Sequence, residues 1–277
     1  MSAQTADVID VKELVEGTSL WKDAWRRLKK NRLAVFGGLL LILMTAAVLI
    51  GPLISNYTYD QIDLNASNET PSWSHWFGTD QLGRDILSRL IYGARVSLIV
   101  GVMGTVVAGG LGTALGIVSG YLGGWVDQVI MRLTDAWLAL PALVFAIFLA
   151  TLFGPSMWNI VTILGLVYWT RYARVIRGEV LSLKERDFVR LAIVAGCSRR
   201  TIMRRHILPN VLNSAIVLGT LMLGVVVVTE AALSFLGVGV PPPKPAWGLM
   251  LADGKKGMMT GYYEPVLKAS RTPQGPY

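Results

Sequence analysis

The segment LAVFGGLLLILMTAAVLIGPLI, Leu33–Ile54, decides the class of fold, because its 22 residues contain no charged side chain. A helix of this length spans about 33 Å, which matches the roughly 30 Å hydrocarbon core of a bilayer. The segment is too long for the apolar core of a signal peptide, so we interpret it as a retained membrane helix. The composition agrees, since 53% hydrophobic and 16% charged residues are typical of a membrane protein.

Four further apolar segments follow this first one. They cover about Val96–Val118, Val126–Phe153, Met157–Ile176 and Val211–Phe235. Each is long enough to cross a bilayer, and we expect Pro141 to bend the second of these four segments. The sequence therefore predicts an all-α membrane protein, a polytopic bundle of five transmembrane helices.

The distribution of cations predicts the orientation of these helices. Residues 1–32 contain seven Lys and Arg, and the stretch Arg171–Asn210 contains ten of the chain's 26. The connection Ser55–Arg95 contains only three, beside five acidic residues. Cytoplasmic loops are enriched in Lys and Arg, so both basic regions are expected inside and the Ser55–Arg95 connection outside. A single cysteine and two widely separated histidines argue against a disulfide framework or a metal site.

The basic loop EVLSLKERDFVRLAIVAGCSRRTIMRRHILPN, Glu179–Asn210, is predicted to be ordered. Gly196 can end a first short helix, and Ser198 can cap a second, which would carry Ile202 and run as far as Pro209. The first helix has an apolar stripe at helical spacing. The stripe consists of Phe188, Leu191, Ala192 and Ala195. An exposed stripe requires a covering partner, so the loop is interpreted as a docking surface.

The apolar segment that begins at Val96 carries a small residue at every fourth position. These residues are Gly104, Ala108, Gly112, Gly116 and Gly120. Small residues let membrane helices approach closely, which indicates either tight packing within the chain or a sliding surface against a partner subunit.

Two acidic residues near the apolar segments are candidates for a translocation path. Asp135 lies three residues after Arg132, a spacing that allows the two side chains to pair. Glu230 lies within the last apolar segment, where a carboxylate must face protein or water; it could equally be structural. The sequence contains no phosphate-binding loop and no hydrolase motif, so we expect no catalysis on this chain.

Four segments in this order resemble the inner-membrane permease subunits of binding-protein-dependent ABC importers. They are GTDQLGRDILSRLIYGARVSL (Gly78–Leu98), RLTDAWLALP (Arg132–Pro141), GCSRRTIMRRHILPN (Gly196–Asn210) and EAALSFLGVGV (Glu230–Val240). The chain is most similar to the "C"-type permeases of the dipeptide, oligopeptide and nickel class. The resemblance implies that a second permease, two cytoplasmic ATPase subunits and an extracytoplasmic solute-binding protein are the partners in a cytoplasmic membrane. It also implies that ATP and Mg are bound by those ATPase subunits, with no cofactor on this chain and no nucleic acid.

The resemblance further implies an ATPase-coupling loop at 178–210. Members of the family carry an E-A-A-x3-G-x9-I-x-L-P segment there; Arg190, Leu191 and Ala192 stand at its first three positions, so the acidic residue is missing. His206 occupies the isoleucine position. The coupling residues implied are Asp187, Phe188, Arg190, Leu191, Ala192, Gly196, Ser198, Ile202, Arg205, His206, Leu208 and Pro209.

These interpretations divide the chain into successive regions. They are a basic amino-terminal segment (1–32), a first helix (33–54), an outer loop (55–95), a permease core (96–255) and a divergent tail (256–277). The family pattern implies a sixth helix after Pro245–Gly248, and the tail lacks an apolar run that could form it, so truncation or a changed reading frame is expected. The alternative function is a secondary transporter driven by an ion gradient, which usually shows inverted repeats.

Overall fold

The computed structural model describes residues 28–54 and 57–257, without the side chains of 52–54, and contains no β-strand in those ranges. The chain divides into two compact units at residue 50, and the amino-terminal unit contributes most of helix α1, Arg32–Ile54. The predicted basic segment falls largely outside the described residues, as does the tail beyond residue 257.

The second unit contains seven helices in its described residues. They are α2 (Ile86–Leu122), α3 (Gly124–Leu138), α4 (Ala142–Phe153), α5 (Met157–Lys184), α6 (Asp187–Val194), α7 (Arg199–Phe235) and α8 (247–257). The Asp85 carboxylate caps the first turn of α2 by accepting hydrogen bonds from the backbone N–H and the hydroxyl of Ser88, both at 2.7 Å. At its other end, α2 stops at Gly123, whose positive φ of 65° favours glycine.

The structure bears out the all-α polytopic class, and length and composition identify three or four of the five expected spans among the described residues. Three helices, α1, α2 and α7, are long and apolar enough to cross a membrane, and the bent pair α3–α4 could form a fourth span. Helix α5 is 28 residues long, but its second half carries Arg171, Arg174 and Arg177. Because of these charges, length and composition do not identify α5 as a span, and its crossing stays a prediction.

The structure also corrects the third predicted span, which was expected to be one bent helix. Helices α3 and α4 are separated at residues 139–141 and meet at 93°. Pro141 has no N–H to donate to a preceding turn and disfavours a helical conformation at Leu140, so the helix ends before it. Pro141 then serves as the N-cap residue of α4, and its carbonyl accepts the hydrogen bond of Phe145 at 3.0 Å.

The core is the parallel packing of α2 on α5 through the predicted stripe of small residues. A Cβ added at Gly116 would lie 2.8 Å from the Ala173 carbonyl oxygen, and one at Gly120 would lie 2.8 Å from the Val180 Cβ. Such distances leave no room for a side chain, which is the close backbone approach that small residues permit. The stripe is therefore buried inside this chain rather than presented to a partner subunit. Its residues Gly104, Ala108, Gly112, Gly116 and Gly120 are all buried.

Candidate coupling surface and helix core

The basic loop forms a short helix and a break, and the break lies where the sequence predicts it. Helix α6 ends at Val194, and the N–H of Cys197 donates to the Ala192 carbonyl while the N–H of Gly196 donates to that of Ile193, both at 3.0 Å. This pair of bonds is a Schellman motif, which requires a left-handed residue at Gly196, where φ is 76°. Ser198 then caps α7 by accepting a hydrogen bond from the Thr201 N–H.

Three of the four residues in the predicted apolar stripe of α6 are exposed, and the fourth, Ala192, lies on a second face that is buried. Val189 and Ala192 are buried, whereas Phe188, Leu191 and Ala195 are exposed; Leu191 is 67% exposed and Val194, beside them, 84%. Two separate apolar faces therefore exist on one short helix. Sequence periodicity could not separate them because α6 is apolar over most of its circumference.

The buried face of α6 belongs to a compact cluster at one end of the helix bundle. The cluster consists of Ile117, Tyr121, Ile176, Val180, Val189, Ala192, Ile202, Ile207 and Val211. Its members come from α2, α5, α6 and α7. Because buried side chains pack at near-crystalline density, a displacement of α6 must be passed to the ends of these membrane helices. The loop is therefore packed onto the ends of three helices of the bundle.

The junction with α7 corrects a second expectation, that the loop's second helix ends at Pro209. Residues Ile202–Ile207 form a π-helical turn, in which the N–H of Leu208 donates to the Met203 carbonyl, and the helix continues through Pro209 to Phe235. A wider turn relieves the clash that a proline ring makes with the carbonyl four residues earlier. The second helix of the basic loop and the last apolar helix therefore form one continuous helix, α7.

The loop that carries the exposed apolar face is rich in exposed positive charge. Its exposed arginines are Arg186, Arg190, Arg199, Arg200, Arg204 and Arg205. Among the salt bridges of the described residues, Arg190 is the one of these six that has a carboxylate partner, Glu185 at 2.5 Å. Asp187 is exposed in the first turn of α6, and His206 is half-buried on the π-helical turn. Leu208 and Pro209 are exposed where α7 leaves this turn, and Ile202 is buried beneath it.

An ion pair that the sequence analysis missed fastens α3 to α5 beside this cluster. Arg177 forms two hydrogen bonds of 2.5 Å with the Asp127 carboxylate, which also accepts one from the Ser119 hydroxyl. The Glu179 carboxylate accepts a hydrogen bond of 2.9 Å from Ser214 on α7. Bidentate Arg–carboxylate pairs are strong and directional, so they fix the helix ends that carry the loop. Fifty residues separate Asp127 from Arg177, and no local pattern signals the pairing.

Glu230 is fully buried between α2 and α7. Its carboxylate accepts hydrogen bonds from the Ser97 hydroxyl at 2.8 Å and from the Ser234 hydroxyl at 2.7 Å. Ser234 in turn accepts one from the Val240 N–H at 3.3 Å, which ties the segment after α7 to its last turn. This geometry is that of a structural hydrogen-bond centre, and a role for Glu230 in a translocation path stays a prediction.

Asp135 pairs with a residue that the sequence spacing did not suggest. Its carboxylate lies 2.6 Å from the Arg174 guanidinium of α5, rather than beside Arg132, and both partners are more than half exposed. An ion pair this open to solvent contributes little stability. Its candidate role in a path also stays a prediction.

The outer loop is held together by a second network of charges. Asp80 accepts hydrogen bonds from Arg84 and lies 3.3 Å from Arg89, which also approaches Asp253 of α8 at 3.6 Å. The loop's two halves are joined by backbone bonds between Asn68 and Asp80 and between Thr79 and Glu69. The connection between α1 and α2 is therefore a folded loop that contacts α8.

Comparison with known proteins identifies the family. Residues 112–266 match the family described as the binding-protein-dependent transport system inner membrane component, a match that extends past Lys255. The chain belongs to this family. Residues 19–71 also match the N-terminal transmembrane domain of oligopeptide transport permease C. This permease is accordingly a non-enzymatic, multi-pass component of a transport system in the inner membrane.

Curated relatives refine the comparison. The permease is 40% identical to the oligopeptide transport system permease protein OppC of Haemophilus influenzae over 253 residues, 91% of this chain and 81% of that protein. It is 39% identical to the dipeptide transport system permease protein DppC of Bacillus subtilis, over 88% of this chain and 77% of that protein. It is 37% identical to the glutathione transport system permease protein GsiD of Pectobacterium atrosepticum, over 86% of this chain and 80% of that protein.

Proposed function

We propose that this permease forms one half of the pore of an ATP-driven importer of short peptides. The second half is a homologous permease, two ATPase subunits bind ATP and Mg on the cytoplasmic side, and a solute-binding protein delivers the peptide from outside. The names of the three relatives, which all refer to peptides or a peptide-like thiol, support this class of cargo.

The observation that carries the coupling role is the two-faced geometry of α6. Val189 and Ala192 are buried against the bundle, while Phe188, Leu191 and Val194 expose an apolar face on a loop that is rich in exposed arginines. Such a surface suits a partner with an apolar groove and acidic edges, which an exposed amphipathic helix enters. The coupling residues expected from the resemblance divide between these two tasks: attachment and docking.

In the proposed cycle, closure of the two ATPase subunits displaces both coupling helices. The displacement passes through the cluster around Ile176 and Val180 to α2 and α5, and through the π-helical turn to α7. The permease then shifts between an outward-open and an inward-open packing, each favoured by a different state of the ATPases.

Cross-linking tests the docking surface directly. In a variant with Cys197→Ser, a cysteine introduced by Leu191→Cys is expected to cross-link to an ATPase subunit in the complete complex. The matched control is Gln128→Cys, an exposed position on α3 outside the loop. If Gln128→Cys cross-links as efficiently as Leu191→Cys, α6 is not the docking site.

Uptake into proteoliposomes tests the energy source. The complex, purified through a tag on this chain, is expected to import a radiolabelled tripeptide only with ATP, and to continue when a protonophore collapses the proton gradient. Leu191→Asp places a carboxylate on the docking face and is expected to reduce uptake at least tenfold. Uptake driven by a proton gradient without ATP would instead establish a secondary transporter, the alternative that the family match disfavours.

A further inference from the structure

Between α2 and α7 lies a groove whose walls are apolar and whose volume is about 690 Å³. Val106 and Ala114 lie on the α2 wall, Leu212 and Ile216 on the α7 wall, and Tyr172 of α5 closes the floor. Val106, Leu212 and Ile216 are roughly half exposed. The groove therefore offers apolar surface along one side of the bundle.

Three hydroxyl groups at this groove are buried and have no hydrogen-bond partner. They belong to Thr105, Thr113 and Tyr172. Thr113 and Tyr172 are more than nine-tenths buried, at 7% and 1% exposure. Other helical threonines, such as Thr162 and Thr229, bond a carbonyl of their own helix, at 3.0 Å and 2.8 Å. Thr170 of α5 is also buried without a partner but does not line the groove, so the groove is distinguished by the grouping of three such hydroxyls. Burial of a hydroxyl without a partner is unfavourable, so these three groups mark a place where a partner is expected.

The spacing of the hydroxyls identifies a class of ligand. Thr105 and Thr113 are eight residues apart on α2, a rise of about 12 Å, and the Tyr172 ring lies against Gly109 between them. Three or four residues of extended peptide span the same length, at about 3.3 Å per residue. An extended peptide has unpaired N–H and C=O groups along its main chain, whereas a neighbouring transmembrane helix has already satisfied its own.

We propose that this groove is a main-chain binding site for an extended peptide in transit, with Thr105, Thr113 and Tyr172 as its hydrogen-bonding groups. The inference rests on the proposed function, and it explains how one site could accept peptides of different sequence. Hydroxyls donate and accept, so they recognise either polarity of main-chain group. The apolar walls take the side chains without selecting one. Arg204, the charged residue that lines the groove at its inner end, suits the peptide's terminal carboxylate.

The groove is also connected to the coupling surface. Met203, Arg204 and Leu208 form its inner end, and these residues lie on or beside the π-helical turn of α7. A displacement of α6 therefore moves one wall of the groove. The hydroxyls are covered in this conformation, and a threonine in a helix has two accessible χ1 rotamers, so separation of α2 from α7 lets Thr105 and Thr113 turn their hydroxyls toward a ligand.

The test removes the three hydroxyl groups by substitutions that keep the shape of each side chain. The triple variant Thr105→Val, Thr113→Val, Tyr172→Phe is expected to reduce the maximal rate of ATP-driven tripeptide uptake at least tenfold. The reduction should be equal for trialanine, trileucine and triserine. The control is Thr162→Val on the exposed face of α5, which is expected to transport at the wild-type rate. If the triple variant does not assemble, single substitutions decide: Thr113→Ser should retain uptake that Thr113→Val loses.

Photo-cross-linking with a tripeptide that carries a benzophenone group measures contact between the peptide and the groove. A purely structural role of the three hydroxyls would not change which residues are cross-linked. Cross-links are expected on α2 and α7 residues of the groove in the wild-type complex and should be lost in the triple variant. Wild-type uptake with an unaffected triple variant would overturn this inference alone, whereas absence of ATP-driven peptide uptake in the wild type would overturn the proposed function. Cross-linking of Ile216→Cys only to the second permease, or only to lipid, would assign the groove to that occupant instead.

Discussion

At the scale of single residues, Glu230 shows how a buried carboxylate is held between two membrane helices. Two serine hydroxyls, from Ser97 on α2 and Ser234 on α7, donate to its two oxygens. A carboxylate in this position is tolerated because each oxygen has a donor, whereas an unpaired one would be expensive at membrane depth. The bond from Ser97 joins α2 to α7, and the bond from Ser234 lies within α7.

Removal of this centre should destabilise the permease. Glu230→Ala leaves the buried O–H groups of Ser97 and Ser234 without their acceptor, each costing about 1–3 kcal/mol, so we expect a lower midpoint of thermal unfolding in detergent. Glu230→Gln keeps acceptor capacity and should lose less. Thr220→Ala, an exposed position on the same helix, is the control. Equal midpoints for Glu230→Ala and this control would show that the hydrogen bonds do not contribute to stability.

At the scale of elements, the α2–α5 pair depends on the absence of side chains along one stripe. The four-residue spacing was visible in the sequence, but it was compatible with two partners: another helix of this chain or a second subunit. The structure assigns it to α5, because the backbone of α5 fills the space that a Cβ would occupy at Gly116 and Gly120.

Enlarging one stripe residue should separate these helices. Gly116→Val is expected to reduce the yield of folded permease and to abolish assembly, since backbone atoms of α5 cannot move aside as a flexible side chain could. Gly110→Ala is the matched control on the same helix, because nothing lies within 4 Å of a Cβ there. That control should be neutral or slightly stabilising, by up to about 1 kcal/mol from helix propensity. Normal assembly of Gly116→Val would contradict the observed packing.

The coupling helix shows the limit of periodicity on the element scale. Its break at Gly196 and its cap at Ser198 follow from local backbone chemistry and were predicted correctly. The sequence did not indicate that a second face, with Val189 and Ala192, is buried, because the spacing of Phe188 and Leu191 is as regular as that of Val189 and Ala192. Only the position of the cluster formed by α2, α5 and α7 decides which face is buried.

On the scale of the whole molecule, the charge distribution predicts that the coupling surface is cytoplasmic. Cys197 is the chain's single cysteine and is partly exposed beside that surface. A membrane-impermeant maleimide should therefore label Cys197 in inverted vesicles and not in intact spheroplasts. The reverse pattern is expected for Ser74→Cys in a Cys197→Ser background, since residue 74 is exposed on the outer loop. Labelling of Cys197 from outside would overturn the orientation and the coupling role together.

The sequence by itself determined the membrane class, the apolar helices α1, α2 and α7, the site of the basic loop and the family resemblance. Each of these depends on a property of one segment by itself: its transfer free energy into hydrocarbon, its number of cations or its local capping residues. Tertiary structure alone decided the 93° angle between α3 and α4, the partner of the glycine stripe, the Asp127–Arg177 pair and the buried face of α6. The physical reason is that lipid is as apolar as a leucine side chain. Hydrophobicity therefore places a helix in the membrane but does not choose its neighbour, which is chosen by close packing and paired polar groups.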